Sequence, residues 1–255
     1  MSAVSVAALI SSGRHSVSGA PRACRGDAVA LAVGMSLVGD NLRVVHAGDA
    51  QEPSLRDYLA YGATKIEVLP AAPDVDVVSL LTNALADVDV ILTGSRTELG
   101  EGSGLLPYLL AQALGRTVVA NALEIRLGDG EAQIRQFLPK GQRRLVACSL
   151  PAVIAVHPLA PVRLGYAYSR RISGSIETGT EVGPPSVAIE RAWTVEVEAR
   201  HPIRLKAQEK KAGHARMRSA IVSEAKGGVV AFEGTTVDKA QVVLNYLREH
   251  RLVDF

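Results

Sequence analysis

Along the first half of the chain, short apolar runs alternate with stretches of helical periodicity. Val4–Ile10, Asn41–Ala47, Lys65–Leu69, Val88–Thr93 and Thr117–Asn121 have the length and apolar character of buried strands. Between them, Asp27–Ser36, Pro53–Tyr61, Asp76–Ala86 and Ser103–Leu114 read as helices. Pro53 suits a first helical turn, where its missing N–H is not needed. Gly62 and Gly115 suit the left-handed positions that end helices. Such alternation predicts a parallel sheet, and right-handed crossovers place helices on both of its faces.

The pattern changes after Asn121. Leu123–Leu127 and Glu131–Phe137 flank Gly128-Asp129-Gly130 and predict a β-hairpin. Arg144–Ser149 and Ala152–His157 predict two further strands that extend the sheet in mixed or antiparallel fashion. From Pro158 to about Ala225 the periodicity is lost, with Pro158, Pro161, Pro184, Pro185 and Pro202 as punctuation. That stretch is too long for an ordinary loop and reads as an arm that wraps a partner. Val229–Phe232 reads as a short strand. Thr236–Glu249 reads as a terminal helix, N-capped by Thr235 or Thr236, with Asp238 in its first turn. The expected organisation is an α/β domain over 1–160, an extended arm over 161–228, and a strand and helix over 229–255 that dock on the partner or the main domain.

Composition narrows the function. The chain has 255 residues, 47% of them hydrophobic, enough for a substantial core. Its 28 basic and 26 acidic side chains nearly cancel, so no global basic field points to nucleic acid. The basic patch Gln208–Arg218 lacks interleaved aromatics and reads as a solvated or protein-docking arm. Cys24 and Cys148 are far apart and form no CxxC pair, which disfavours a metal cluster or disulfide framework and makes a reducing compartment the default. No apolar run approaches the roughly 18–20 residues that span a bilayer. The first 26 residues are free of acids, a transit-peptide-like composition, although Val4–Ile10 is expected to be the first buried strand.

One segment stands out for chemistry. Val88–Asn121 reads as strand, loop, helix, glycine stop and second strand, and its loop runs from Gly94 to Gly104. A loop there meets the unpaired N–H groups and positive dipole end of a helix, which suit a phosphate. Ser103-Gly104 opens the helix, and Gly94 permits close backbone approach. The loop has no Walker lysine, and Ser11-Ser12-Gly13 stands where a GxGxxG would follow the first strand, so neither a P-loop nor a NAD-type fingerprint is present. His15, His46, His157, His201 and His214 have no nucleophile or metal-ligand spacing around them, and Ser149 lacks the GxSxG elbow. Asp27 begins a helix, where it either stabilises the N-terminus or contacts a ligand.

Taken together, four segments resemble the β subunit of electron transfer flavoproteins over nearly the whole chain. Val44–Leu69 is similar to that family's strand, turn, helix and strand. Val88–Leu114 is similar to its strand–loop–helix block, with Ser103-Gly104 at a Thr-Gly position. Leu150–His157 (LPAVIAVH) resembles its "L-P-A-V-V-T-V" strand, and Phe232–Leu252 its C-terminal helix. The resemblance implies a Rossmann-like fold of the adenine nucleotide-binding type: a mostly parallel sheet with helices on both faces, an extended C-terminal arm and a terminal helix. It implies an electron carrier rather than an enzyme. Such a chain pairs with an α subunit that holds most of an FAD, takes electrons from a flavoprotein dehydrogenase and passes them to a membrane quinone oxidoreductase, in the cytoplasm or, in a eukaryote, the mitochondrial matrix. A β pocket holding AMP, or in some relatives a second FAD, would involve Ala8, Cys24, Arg25, Gly26, Asp27, Ala47, Gly94, Glu101, Gly102, Ser103 and Gly104. A nucleotide-binding regulatory protein of the same fold without a redox role is the alternative, and a small nucleotide-dependent hydrolase or ligase is a further rival.

The chain departs from the family pattern in three places. Cys24-Arg25-Gly26-Asp27 stands for an Asn-Pro-x-Asp/Glu helix entry. The acidic loop is shorter and lacks an Asp-Asp-x-Asx-Gln core, keeping Glu98 and Glu101. PVRLGYAYSRRIS at Pro161–Ser173 replaces the partner-recognition loop, which makes Arg163, Tyr166 and Tyr168 the candidates for partner contact.

Overall fold

Period-two alternation along the apolar runs divides their side chains between two separate cores. A computed structural model of the chain describes residues 4–72, 75–99, 102–179, 233–250 and 252–253. In β1 (Val6–Leu9), Val6 and Ala8 join one core while Ala7 and Leu9 join the other. The same split recurs in β4 (Arg43–Gly48), β5 (Lys65–Pro70), β6 (Val90–Gly94) and β10 (Ala152–Val156). Strands buried on both faces need helices on both. The first core is covered by α1 (Arg25–Val38) and α2 (Leu55–Tyr61), the second by α3 (Val77–Ala84) and α4 (Leu106–Leu114).

Nine strands form the main sheet of the described residues. They include β7 (Thr117–Leu127), β8 (Glu131–Phe137), β9 (Arg143–Ser149) and β11 (Ser175–Thr178), in the order β11-β5-β4-β1-β6-β10-β7-β8-β9. The run from β11 to β7 is parallel, and β8 and β9 add an antiparallel edge. Successive strands move outward from β1 to β4 and β5, and the chain then returns to lay β6 against the other side of β1. The order therefore reverses between β1 and β6, where a doubly wound sheet opens a crevice at its strand ends.

Three features differ from the expectations above. A two-stranded antiparallel hairpin, β2 (Ser12–Arg14) and β3 (Pro21–Ala23), stands between β1 and α1, its turn closed around Gly19 at φ 68°. Thr117–Leu127 is one long strand, with Asn121 at φ 58° and an irregular register where it changes partners. Ala152–Val156 does not extend the sheet at its edge but inserts in parallel between β6 and β7, because its residues are apolar toward both cores. The stretch read as an arm also begins with regular structure. α5 (Tyr168–Ser173) packs on α2, and β11 pairs in parallel with β5.

The rest of that stretch, including the basic patch, and the strand expected at Val229–Phe232 lie outside the described residues. In the separate C-terminal unit, α6 (Thr236–Glu249) carries a capping box in which Thr235 and Asp238 satisfy each other's backbone N–H groups.

Candidate functional site

The C-terminal ends of β1, β4 and β6 and the start of α1 converge at the switch point, and side chains there bind one another closely. Asp27, in the first turn of α1, is buried. Its carboxylate accepts from the Ser11 N–H at 2.9 Å, from the Gly94 N–H at 3.2 Å and from the Ser11 hydroxyl. It thus ties the end of β1 and the end of β6 to one helix. Gly94 is glycine for a steric reason, since a Cβ there would fall 2.3 Å from Asp27 Oδ1, 2.9 Å from the Gly26 carbonyl carbon and 3.0 Å from the Asp27 nitrogen. Burial pushes the Asp27 carboxyl up to about 6, against the opposing hydrogen bonds of Ser11, Gly94 and Cys24.

A second set of bonds holds the same junction from α2. The hydroxyl of Tyr58, a fully buried residue, donates to the Ser11 carbonyl at 2.6 Å and accepts from the Cys24 N–H at 2.9 Å. Burial holds the Tyr58 phenol well above its ordinary range, so it stays a neutral donor. His46, near the end of β4, places Nδ1 3.0 Å from the Ile10 carbonyl. A carbonyl only accepts, so Nδ1 carries the proton and Nε2 is an acceptor. Burial lowers the His46 pKa and keeps the ring neutral, and a Cβ on Gly48 would lie 2.6 Å from Nε2.

The β6–α4 loop folds back over the start of α1. Glu98 accepts from the Arg25 N–H at 3.3 Å and from Arg22 Nη2 at 2.9 Å, which also fastens the β2–β3 hairpin. Gly102 (φ 56°) and Gly104 (φ 72°) take left-handed conformations leading into α4, and a Cβ on Gly104 would lie 2.8 Å from the Ser95 carbonyl oxygen. The helix itself starts at Leu106 with Pro107 in its first turn, so Ser103 and Gly104 precede it rather than open it; the Ser103 hydroxyl accepts from the Leu105 N–H at 3.3 Å.

The residues expected to line a nucleotide pocket therefore fall into groups. Ala8 is buried inside β1, and Ala47 is half-buried at the end of β4. Cys24, Arg25, Gly26 and Asp27 form the start of α1, where Gly26 and Asp27 lie against Gly94, while Gly102, Ser103 and Gly104 lie in the loop before α4. Glu101 lies outside the described residues. Ser11, Arg22 and Tyr58 were not singled out as site residues by the sequence; Tyr58 shares the helix α2 with Tyr61, and nothing in residue type or spacing separates the two. Of the proposed partner contacts, Arg163 is exposed and Tyr168 is 64% exposed, while Tyr166 donates to Asp57 at 3.1 Å and packs edge-on against Tyr61. Among the described residues no His, Cys, Asp or Glu cluster could hold a metal ion, and no helix is long and apolar enough to cross a membrane.

Strand order and crevice together define a doubly wound α/β protein of Rossmann-like architecture. No family model matches the chain. Over 259 residues, however, it is 34% identical to the electron transfer flavoprotein subunit beta of Chromohalobacter salexigens, covering 98% of this chain and 96% of that protein. The chain belongs to the electron transfer flavoprotein β-subunit family.

Proposed function

We propose that this chain is the β subunit of an electron-carrying heterodimer. Its partner is an electron transfer flavoprotein α subunit that holds most of an FAD. The heterodimer takes electrons from a flavoprotein dehydrogenase and delivers them toward a respiratory chain through a membrane quinone oxidoreductase, working in the cytoplasm. The observation that carries this reading is likeness to a β subunit from end to end, across both the sheet domain and the C-terminal helix. The chemistry of the crevice agrees with a carrier rather than a catalyst. Asp27, Tyr58, His46 and Glu98 are each engaged in holding strand ends and helix together, and the flavin supplies the redox step. Exposed Arg163 and Tyr168, with Tyr166 beside them, are the proposed partner contacts.

An adenine nucleotide in the β crevice is the family's second cofactor, and the residues here fit only part of it. Ala47 and Gly94 keep bulk out of the strand ends, while Ala8 is spent in the core inside β1, and Gly102, Ser103 and Gly104 offer backbone to a phosphate. The start of α1 does not fit an anion, because carboxylates of the chain already stand there.

Co-expression with an α subunit and purification through a tag on this chain tests the reading. A flavin spectrum at one FAD per heterodimer is expected, with little flavin on this chain alone. Stoichiometric FAD on the unpartnered chain, or a complex without flavin, refutes it.

A further inference from the structure

The first turn of a helix leaves backbone N–H groups without intrahelical partners, and their use can be followed one by one. In α1 the Arg25 N–H donates to Glu98. The Ala28 N–H donates to the Cys24 carbonyl at 3.0 Å, while the Cys24 side chain makes no cap hydrogen bond to the Gly26 and Asp27 N–H groups. The strand ends are spent in the same way, since the Ser11 and Gly94 N–H groups both donate to Asp27. The cation nearest Glu98, Arg22, is already bound to it through both Nε and Nη2.

We propose that Glu98 is a built-in substitute for a ligand anion, and that it makes this β crevice one that does not retain AMP. The carboxylate takes one of the donors that a phosphate would use at α1 and sets a negative charge at that helix N-terminus, and Asp27 adds a second acid behind it. A second donor stretch, Gly102–Gly104, lies against Thr97 and Ser95 of the same loop that carries Glu98. The consequence is a subunit whose strand-end junction is complete without nucleotide. Glu98, from the loop that the family uses for binding, acts here as a determinant of specificity by exclusion.

The inference uses the heterodimer reading only to define the material tested. Nucleotides released by denaturing the purified heterodimer are identified by mass. FAD without stoichiometric AMP is expected. AMP is then titrated calorimetrically into wild type, E98A and E98Q heterodimers. Glu98→Gln keeps the shape and an acceptor for Arg25 while removing the charge, so it decides the question if E98A fails to assemble. AMP affinity should rise at least about tenfold in the variants, the effect of removing one close like charge and freeing one donor. One AMP per wild-type heterodimer, or no gain in the variants that assemble, overturns the inference. A preparation without FAD or without an α subunit instead overturns the heterodimer reading.

Discussion

Gly94→Ala is the sharpest perturbation of the junction that organises this fold. Its Cβ would fall 2.3 Å from a carboxylate oxygen and within 3.0 Å of the Gly26 carbonyl carbon and the Asp27 nitrogen. Two of these three neighbours are backbone at the start of α1, so relief requires α1 to lift from the end of β6. That movement breaks the Gly94–Asp27 hydrogen bond. Overpacking of this kind costs about 1–3 kcal/mol, and a lost hydrogen bond to a charged group about 1.5–3 kcal/mol. A total of about 2.5–6 kcal/mol lowers the melting temperature by roughly 5–24 °C for a chain of this size. Gly115→Ala is the matched control. Gly115 is left-handed (φ 63°), as Gly94 is not, but nothing lies within 4 Å of its added Cβ. It should lose only about 1 kcal/mol, or roughly 2–4 °C. Thermal unfolding of the two variants at one scan rate, followed by circular dichroism, compares them directly. A G94A protein melting within 2–4 °C or so of wild type, or a G115A protein melting lower than G94A, would refute the steric argument.

Two further outcomes follow from the same junction. Tyr58→Phe removes the hydroxyl that serves both Ser11 and Cys24, leaving a buried carbonyl and a buried N–H unpaired. It should cost about 2–4 kcal/mol and speed amide exchange at Cys24, and unchanged exchange there would contradict the assignment. The Asp27 carboxyl, buried at the start of α1, is pushed up to about 6 in the folded chain from its ordinary value of 3.8, so the folded state binds the proton more tightly. Its contribution to stability is fully present below the unfolded value and is lost as pH rises through about 6, by at most about 3 kcal/mol. Urea midpoints of wild type minus D27N should fall across that window, and a flat difference would show that Asp27 is not buried as described.

The alternation of apolar strand and amphipathic helix made the doubly wound class legible because each rule involved is local. Period two builds strands, period 3.6 builds helices, and glycine at Gly62 and Gly115 ends them. Sheet order was not local. Ala152–Val156 is apolar at every position, which says that both faces are covered but not that the strand lies between β6 and β7. The hairpin at Ser12–Arg14 and Pro21–Ala23 was equally hidden, since three-residue strands are too short for a period to register.

For the site, the chain by itself marked the glycine-bearing loop after β6, the acid at the start of α1 and the kinship with electron transfer flavoprotein β subunits, all of which are statements about residue type and spacing. What only tertiary structure decided was how those residues spend their hydrogen bonds. Glu98 and Arg25 are 73 positions apart, and Asp27 and Gly94 are 67 apart. Whether an acid faces a ligand or a neighbouring N–H depends on which strand ends the sheet brings together. Here the sheet brings the carboxylates onto the chain's own donors, and a segment that reads as a phosphate cradle becomes a closed junction.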